Sequence, residues 1–263
     1  MARVIVVTSG KGGVGKSTLT AEIGTCLAKR GASVLLIDAD VGLNNLDVLL
    51  GVDECIRYDM LDVISGRCRI KQAIVPSNDV NNLFILPSRN AYMSEDIATK
   101  SFRELINKLR EAFDFILIDC PAGIEYGFHR AVAPCDEAIV VTTPHVSSLR
   151  DADKVLSILS NYNLNRVELV LNRVRGDMIM NGDMISPSDT AKLLRCNILG
   201  VVPEDDNIHI YSELGRLYKN DYKSGISCMT IADNIITGKR RIYDPTSEYR
   251  GMVGKIKLFM KRA

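Results

Sequence analysis

Residues 10–18, with the sequence GKGGVGKST, constrain the fold of this chain more than any other segment. They match the pattern G-x-x-x-x-G-K-[ST] at every fixed position. The apolar, β-branched run from Arg3 to Thr8 precedes them and predicts a buried strand. Apolar residues at helical spacing predict a helix from Leu19 to Arg30. This order predicts a phosphate-binding loop, because glycine lets the backbone wrap around an anion and a helix N-terminus carries positive potential.

The residues of this loop have different expected roles. Its backbone N–H groups would line a phosphate chain, Lys16 would reach the β- and γ-phosphates, and Ser17 would ligate Mg²⁺. The alternative is a glycine-rich turn that matches the pattern by chance, and the strand and helix on either side argue against it. We therefore expect nucleotide contacts along the whole loop, from Gly10, Lys11, Gly12, Gly13, Val14, Gly15, Lys16, Ser17 and Thr18.

A second lysine, Lys11, follows Gly10 directly, and the general pattern does not require it. One interpretation is a solvated loop lysine. The other is a second cation for phosphates, either those bound by the same chain or those bound by a facing subunit. The residue chemistry alone establishes only an additional positive charge beside the loop.

Strands and helices alternate along the rest of the chain. Apolar strands separated by helices predict an α/β fold with a mostly parallel sheet covered by helices on both faces. The segment 175–184 lacks periodicity and predicts a loop or lid, and no domain boundary stands out before Lys239. The further predicted strands are 33–37, 82–86, 115–118, 138–142, 167–171 and 198–202, and the further predicted helices are 100–112 and 148–160.

The polar residues at the carboxyl ends of these strands are candidates for one shared site, since parallel α/β sheets bind ligands beyond those ends. Asp119 follows four apolar residues, an arrangement that holds a carboxylate beside Mg²⁺ and its waters. Each acid taken alone could be a helix cap. Together with the glycine loop they predict a nucleotide site, and the full candidate set is Asp38, Asp40, Asp119, Asn172 and Pro203-Glu204-Asp205.

Charge and cysteine content narrow the class of protein. The 33 basic and 32 acidic residues give a net charge of +1, so we expect no specific nucleic-acid partner. The seven cysteines form no C-x-x-C pair, which favours reduced thiols in a cytoplasm over a disulfide scaffold or a zinc site. A predicted strand begins almost at once and no apolar run could span a bilayer, so we expect neither a targeting peptide nor a membrane span.

Several segments resemble one family. The loop with its second lysine resembles the deviant P-loop ATPases, which include the MinD septum-site proteins, the ParA partition ATPases and the nitrogenase iron protein. Residues 38–47 and 119–125 resemble the two switch segments of MinD proteins. Residues 147–153 resemble the helix start at the MinD dimer and partner surface, and residues 200–205 resemble the loop that closes over the base. The resemblance covers most of the chain and weakens in the segment 206–245.

The resemblance implies ATP as the nucleotide and Mg²⁺ as its metal. It implies catalytic roles for Lys11, Lys16 and Asp40, in which Asp40 positions or activates the attacking water and Lys11 reaches across a dimer. Cys120 departs from the family, where many relatives carry serine or threonine, but the side chain remains small. The implied metal residues are Ser17, Asp38 and Asp119, and the implied base-contacting residues are Asn172, Pro203, Glu204 and Asp205.

The C-terminal tail, residues 250–263, follows a polar segment, 239–249, that we interpret as a linker. At about 100° per residue the tail predicts a short amphipathic helix with a purely basic polar face, which suits an anionic membrane surface. The alternative is a terminal helix that docks on its own domain. The apolar face would comprise Met252, Val253, Ile256, Phe259 and Met260, and the basic face Arg250, Lys255, Lys257, Lys261 and Arg262.

Three functions follow as hypotheses. The first is a MinD-like ATPase that dimerises with ATP, binds the inner face of the cell membrane and helps place the septum, with a MinC-like inhibitor and a MinE-like or other activating partner. The second is a ParA-like partition ATPase, which the balanced charge disfavours. The third is an electron-transfer protein like the nitrogenase iron protein, which needs paired cysteines that Cys120 and Cys135 match poorly.

Overall fold

The computed structural model describes residues 1–40, 46–88, 98–208, 222–252, 254 and 258. Within them lie eight strands that form a single sheet. The strands are β1 Arg3–Thr8, β2 Val34–Asp38, β3 Val75–Pro76, β4 Leu83–Leu86, β5 Phe115–Asp119, β6 Glu137–Thr142, β7 Arg166–Val174 and β8 Ile198–Pro203.

Helices connect these strands in the described part of the chain. The longer ones are α1 Lys16–Lys29, α5 Thr99–Leu109, α7 Val146–Leu159 and α10 Lys223–Thr237. The shorter ones are α2 Leu46–Leu49, α3 Met60–Ile64, α4 Ile70–Ala73, α6 Tyr126–Val132, α8 Gly176–Asn181 and α9 Pro187–Leu194, with 3₁₀ turns at Asp53–Cys55 and Ser247–Tyr249. No helix among the described residues combines the length and the apolar character that crossing a bilayer requires.

The sheet has the strand order β3-β4-β2-β5-β1-β6-β7-β8. All neighbours pair in parallel except β3 and β4, which are antiparallel. Strand β1 therefore lies near the centre, between β5 and β6, so the loop that follows β1 emerges in the middle of the carboxyl edge. The predicted α/β fold with a mostly parallel, helix-covered sheet is confirmed.

Side chains alternate across the sheet and build one core on each face, as the two-residue period of a strand requires. On one face Val4 and Val6 pack in a cluster with Phe102 of α5 and Leu149 of α7. On the other face Ile5 and Val7 pack in a cluster with residues of α1 and α10, such as Ile23 and Ile231. These strands read as continuous apolar runs because both faces are buried.

The predicted strands and the helices predicted at 19–30, 100–112 and 148–160 are present, with ends displaced by a few residues. Three differences are informative. The segment 175–184, predicted as a loop or lid, contains the helix α8, so that prediction was wrong. Strand β7 continues past Leu171 to Val174, with register shifts against β8. The short edge strand β3 was missed, because two residues carry no periodicity.

The segment 239–249, interpreted as a linker, lies along α8 and α10. Glu248 forms an ion pair with Lys223 at 2.5 Å, and Arg241 N–H donates to Asn234 Oδ1 at 3.0 Å. Tyr249 is buried. Of the predicted amphipathic helix, residues 253, 255–257 and 259–263 lie outside the described residues, so the predicted membrane face is not part of what the structure describes.

Candidate nucleotide-binding site

The glycine loop and two aspartates meet at the carboxyl edge of the sheet because their strands are neighbours. The register pairs Val7 of β1 with Asp119 of β5, and Asp38 of β2 with the same Asp119. Both aspartates are buried. Residues far apart in sequence are thus brought to one point, directly below the start of α1, as predicted for a shared site.

Lys16 is the first residue of α1, and its side chain is buried against Asp119. Its Nζ lies 2.7 Å from Asp119 Oδ1, and the exposed fractions of the two side chains are 8% and 1%. Thr20 Oγ1 also donates to Asp119 Oδ1 at 3.2 Å, and Lys16 Nζ lies 3.3 Å from Ser17 Oγ. The cation expected at the phosphates therefore forms an internal ion pair with the carboxylate expected at the metal.

Asp38 and Asp40 stand beside this pair. Asp38 Oδ1 accepts from Asp40 N–H at 3.0 Å, and Asp38 Oδ2 accepts from Leu46 N–H at 3.4 Å, so the carboxylate of Asp38 is held in one orientation. Asp40 is half-buried. Burial is the largest influence on Asp40 and raises its pKa, Lys16 acts to lower it, and Asp119 acts to raise it; the net pKa is raised. Residues 41–45, the rest of the first predicted switch, lie outside the described residues.

These donors fit Mg²⁺ bound with a nucleotide. A hydroxyl and two carboxylates are hard oxygen ligands of the kind this ion prefers. Ser17 would bind the ion directly, while Asp38 and Asp119 would hold its coordination shell. The bound ion would supply neutralisation of phosphate charge. Asp119 is paired with Lys16 in the structure, so occupancy requires Lys16 to turn from the carboxylate toward the phosphates.

A separate cavity of about 90 Å³ opens on the other side of the loop. It is lined by Gly15, Thr18, Leu19, Asn172, Arg173, Pro203, Glu204, Asp205 and Ile208. The implied base-contacting residues therefore do meet in one cavity, next to the glycine loop. Its walls are partly apolar and partly amide and backbone, which suits a planar base.

Two residues of this cavity form hydrogen bonds with other parts of the protein. Asn172 is buried, and its Nδ2 donates to the Val14 carbonyl at 2.8 Å. Asp205 Oδ2 accepts from Ser224 Oγ at 2.8 Å, and Asp205 Oδ1 accepts from Asn207 Nδ2 at 2.8 Å. Burial acts to raise the pKa of Asp205, but the hydrogen bonds from Ser224 and Asn207 outweigh it, so the net pKa is lowered. Asp205 thus ties the loop after β8 to the start of α10.

Lys11 is exposed, at the outer side of the loop. Its carbonyl accepts a hydrogen bond from Ser9 Oγ at 3.0 Å, and no ion pair of its ammonium occurs among the residues that the structure describes. Next to it, Gly10 packs against α7 so closely that a Cβ there would lie 2.3 Å from the Asp151 carbonyl oxygen. The helix with the partner-surface resemblance thus supports the start of the loop.

Three residues of the site were not predicted from the sequence. Thr20 completes the surroundings of Asp119, and its position one turn after Lys16 was the available signal. Arg173 lines the base cavity with φ of +56°, and Ser224 binds Asp205; neither carries a sequence signal. Cys120, the departure noted above, is fully buried, and burial raises the pKa of its thiol to about 12, so it remains a neutral thiol beside Asp119.

Comparison with known proteins identifies the family. The AAA domain family model matches residues 2–170. A putative septum site-determining protein MinD of Guillardia theta is 40% identical over 262 residues, covering 98% of this chain and 97% of the relative. The chain belongs to the MinD family. This membership confirms the prediction of a septum site-determining P-loop ATPase, in a family that uses ATP and Mg²⁺.

Solved MinD structures share the fold closely. The MinC:MinD cell division protein complex of Aquifex aeolicus matches with a TM-score of 0.84 and 38% identity, covering 90% of this chain and 96% of that one. MinD of Pyrococcus horikoshii, solved with Mg-ADP, matches with a TM-score of 0.82 and 32% identity, covering 90% and 97%. A ParA family ATPase of Chlorobium tepidum, at 23% identity and a TM-score of 0.72, shares the fold only.

Proposed function

We propose that this MinD-family chain hydrolyses ATP to ADP and phosphate, and that ATP makes it pair with a second copy and attach to an anionic membrane surface, where it helps place the division septum. The observation that carries the proposal is the buried Lys16–Asp119 pair at 2.7 Å, set under a glycine loop and flanked by Asp38 and Asp40. The side chains that we propose as phosphate cation, metal carboxylates and water-orienting group thus lie at one edge of the sheet, which supports the proposal.

The roles follow from the geometry. Lys16 would pass from Asp119 to the phosphates, and Ser17, Asp38 and Asp119 would hold Mg²⁺. Asp40 would orient the attacking water, because it is half-buried at the same edge and near both Lys16 and Asp119. The nucleotide base would lie in the cavity between Asn172 and the loop Pro203, Glu204 and Asp205.

A second copy of the chain is the proposed partner for Lys11. Its exposure leaves the ammonium accessible to a nucleotide held by a facing subunit. The neutral overall charge does not oppose self-association. Lys11 would then act catalytically only in the dimer, which couples hydrolysis to pairing.

A MinC-like inhibitor and a MinE-like or other activating partner are proposed at α7. The Aquifex relative was solved as a MinC:MinD complex. In this chain an apolar groove of about 440 Å³ runs between α7 and α9, and Val146 at the start of α7 is 71% exposed. The groove adjoins the helix that supports Gly10, so a ligand there would lie close to the nucleotide loop.

Membrane attachment is proposed to use the C-terminal tail, in a cytoplasmic protein that is peripheral on the inner face of the membrane when ATP is bound. A single short helix would bind weakly, and two helices on a dimer would bind with avidity. The Phe259→Asp substitution tests this. It would remove roughly 2 kcal/mol of apolar burial and oppose the anionic surface by about 1 kcal/mol per unit charge in each tail.

Sedimentation with vesicles of anionic phospholipid, in ATP and in ADP, is the measurement. We expect wild-type protein to sediment with ATP and not with ADP, and Phe259→Asp to remain soluble while still binding ATP and dimerising. Ile226→Asp is the matched control, because Ile226 is 49% exposed on α10 and lies outside both the tail and the groove. Equal sedimentation of Phe259→Asp and wild type would refute the membrane role of the tail.

A further inference from the structure

The side chain of Asn172 contacts the phosphate loop in a way that base recognition does not require. It is 5% exposed within β7. Nδ2 donates to the Val14 carbonyl at 2.8 Å, and Oδ1 accepts from Arg173 N–H at 2.9 Å. Both ends of the side-chain amide are thus hydrogen-bonded, the nitrogen to the glycine loop and the oxygen to the next residue of its own strand.

The bond to Val14 fixes a peptide plane. The carbonyl of Val14 and the N–H of Gly15 belong to the same trans peptide unit, so they point in opposite directions. Asn172 holds the Val14 carbonyl toward β7. The Gly15 N–H therefore points away from Asn172, and the N–H groups of this motif are the ones that meet phosphate.

The backbone next to each end of this hydrogen bond has an unusual conformation. Gly15 has φ of +91°, and a Cβ at that position would lie 2.3 Å from Asn172 Nδ2. Only glycine leaves room for the amide at this distance. Arg173 adopts φ of +56°, a region that residues with a side chain rarely occupy, within the register shift of β7 against β8 that falls between Leu171 and Val174.

We propose that Asn172 is a positioning residue for the phosphates, acting through Val14 and Gly15, in addition to any contact with the base. The proposal rests on the proposed nucleotide function of this site and deepens it. It couples the base cavity to the phosphate loop. A substitution at Asn172 should therefore change the affinity for a ligand that has phosphates but no base.

Calorimetric titration with two ligands tests this, magnesium ATP and magnesium tripolyphosphate, which retains the three phosphates and lacks base and ribose. The variant is Asn172→Leu, which keeps a similar volume and cannot hydrogen-bond. We expect the affinity for tripolyphosphate to fall about tenfold, the effect of losing one well-placed hydrogen bond in a buried site. We also expect a lower kcat at saturating ATP, because a misdirected N–H group stabilises the charge of the transition state less well.

Ile208→Ala is the matched control, since Ile208 lines the base cavity and has no hydrogen bond to the loop in the described structure. It should weaken ATP binding and raise KM, yet leave tripolyphosphate binding within twofold of wild type. Thermal melting of the unliganded proteins must show that Asn172→Leu remains folded at the assay temperature. If it does not, Asn172→Ser replaces it in the same titrations, with the same expectation.

The outcomes are distinct. Tripolyphosphate binding by a folded Asn172 variant within twofold of wild type, with only ATP binding weakened, would make Asn172 a base contact alone and overturn the inference. Failure of the wild-type protein to bind magnesium ATP would instead overturn the proposed function. A loss for both ligands with kcat reduced supports the positioning role.

Discussion

Replacing Lys16 with methionine should destabilise the nucleotide-free protein substantially, although Lys16 belongs to a functional site. Its ammonium lies 2.7 Å from Asp119 Oδ1, and both side chains are nearly inaccessible to water, at 8% and 1%. Methionine fills a similar volume and is a good helix former, so α1 should still begin normally. What changes is that the buried Asp119 carboxylate loses its cation, and among the described residues Thr20 Oγ1 is its remaining side-chain hydrogen-bond donor.

Removing one partner of a buried ion pair costs about 3–5 kcal/mol, because the remaining charge is left desolvated. We expect a loss within this range, about 3–5 kcal/mol, because the one Thr20 hydroxyl proton is shared between the Lys16 carbonyl at 2.9 Å and Asp119 Oδ1 at 3.2 Å and compensates the carboxylate only in part.

The measurement is urea unfolding of nucleotide-free protein at pH 7, followed by circular dichroism. The double variant Lys16→Met with Asp119→Asn should recover most of the loss, because it removes the charge as well as its partner. Lys108→Met, an exposed lysine on α5, is the control and should change stability by less than about 0.5 kcal/mol. A loss below that level for Lys16→Met at pH 7 would refute the buried pair as described.

Two further predictions concern catalysis. Asp40→Asn should bind ATP and dimerise but hydrolyse it slowly, and in wild type the hydrolysis rate should fall as pH drops through the pKa of Asp40, which burial raises from its ordinary value. Because the folded protein binds that proton more tightly than the unfolded chain does, ionised Asp40 lowers the stability of the fold at neutral pH. Asp40→Asn should therefore unfold at or above the urea midpoint of wild type. Failure of Asp40→Asn to bind ATP would contradict the role of Asp40 in orienting water. Lys11→Ala should keep ATP binding by the monomer but lose ATP-driven dimerisation in light scattering, and hydrolysis with it. Unchanged dimerisation and turnover would show that Lys11 is a solvated loop lysine without a role across the dimer.

Local patterns determined much of this protein without any structure. The glycine loop, the strand before it and the helix after it are contiguous, so spacing and glycine chemistry alone predict a phosphate site. The apolar runs predict buried parallel strands for the same reason, since both faces of such strands are covered. The order of strands along the chain then predicts that Asp38 and Asp119 share one edge, and the register confirms it.

Tertiary structure decided what those residues touch. Lys16 and Asp119 are 103 positions apart, and Asn172 and Val14 are 158 apart, so no local pattern could pair them. The helix α8 in the segment predicted as a loop is likewise stabilised from outside: the backbone at Pro245 approaches Gly176 so closely that a Cβ there would lie 1.8 Å from the Pro245 carbonyl oxygen. Propensity over six residues is too weak to fix a helix by itself, and packing supplies the difference. The sequence therefore names the chemistry of the site, while the fold determines which atom each group faces.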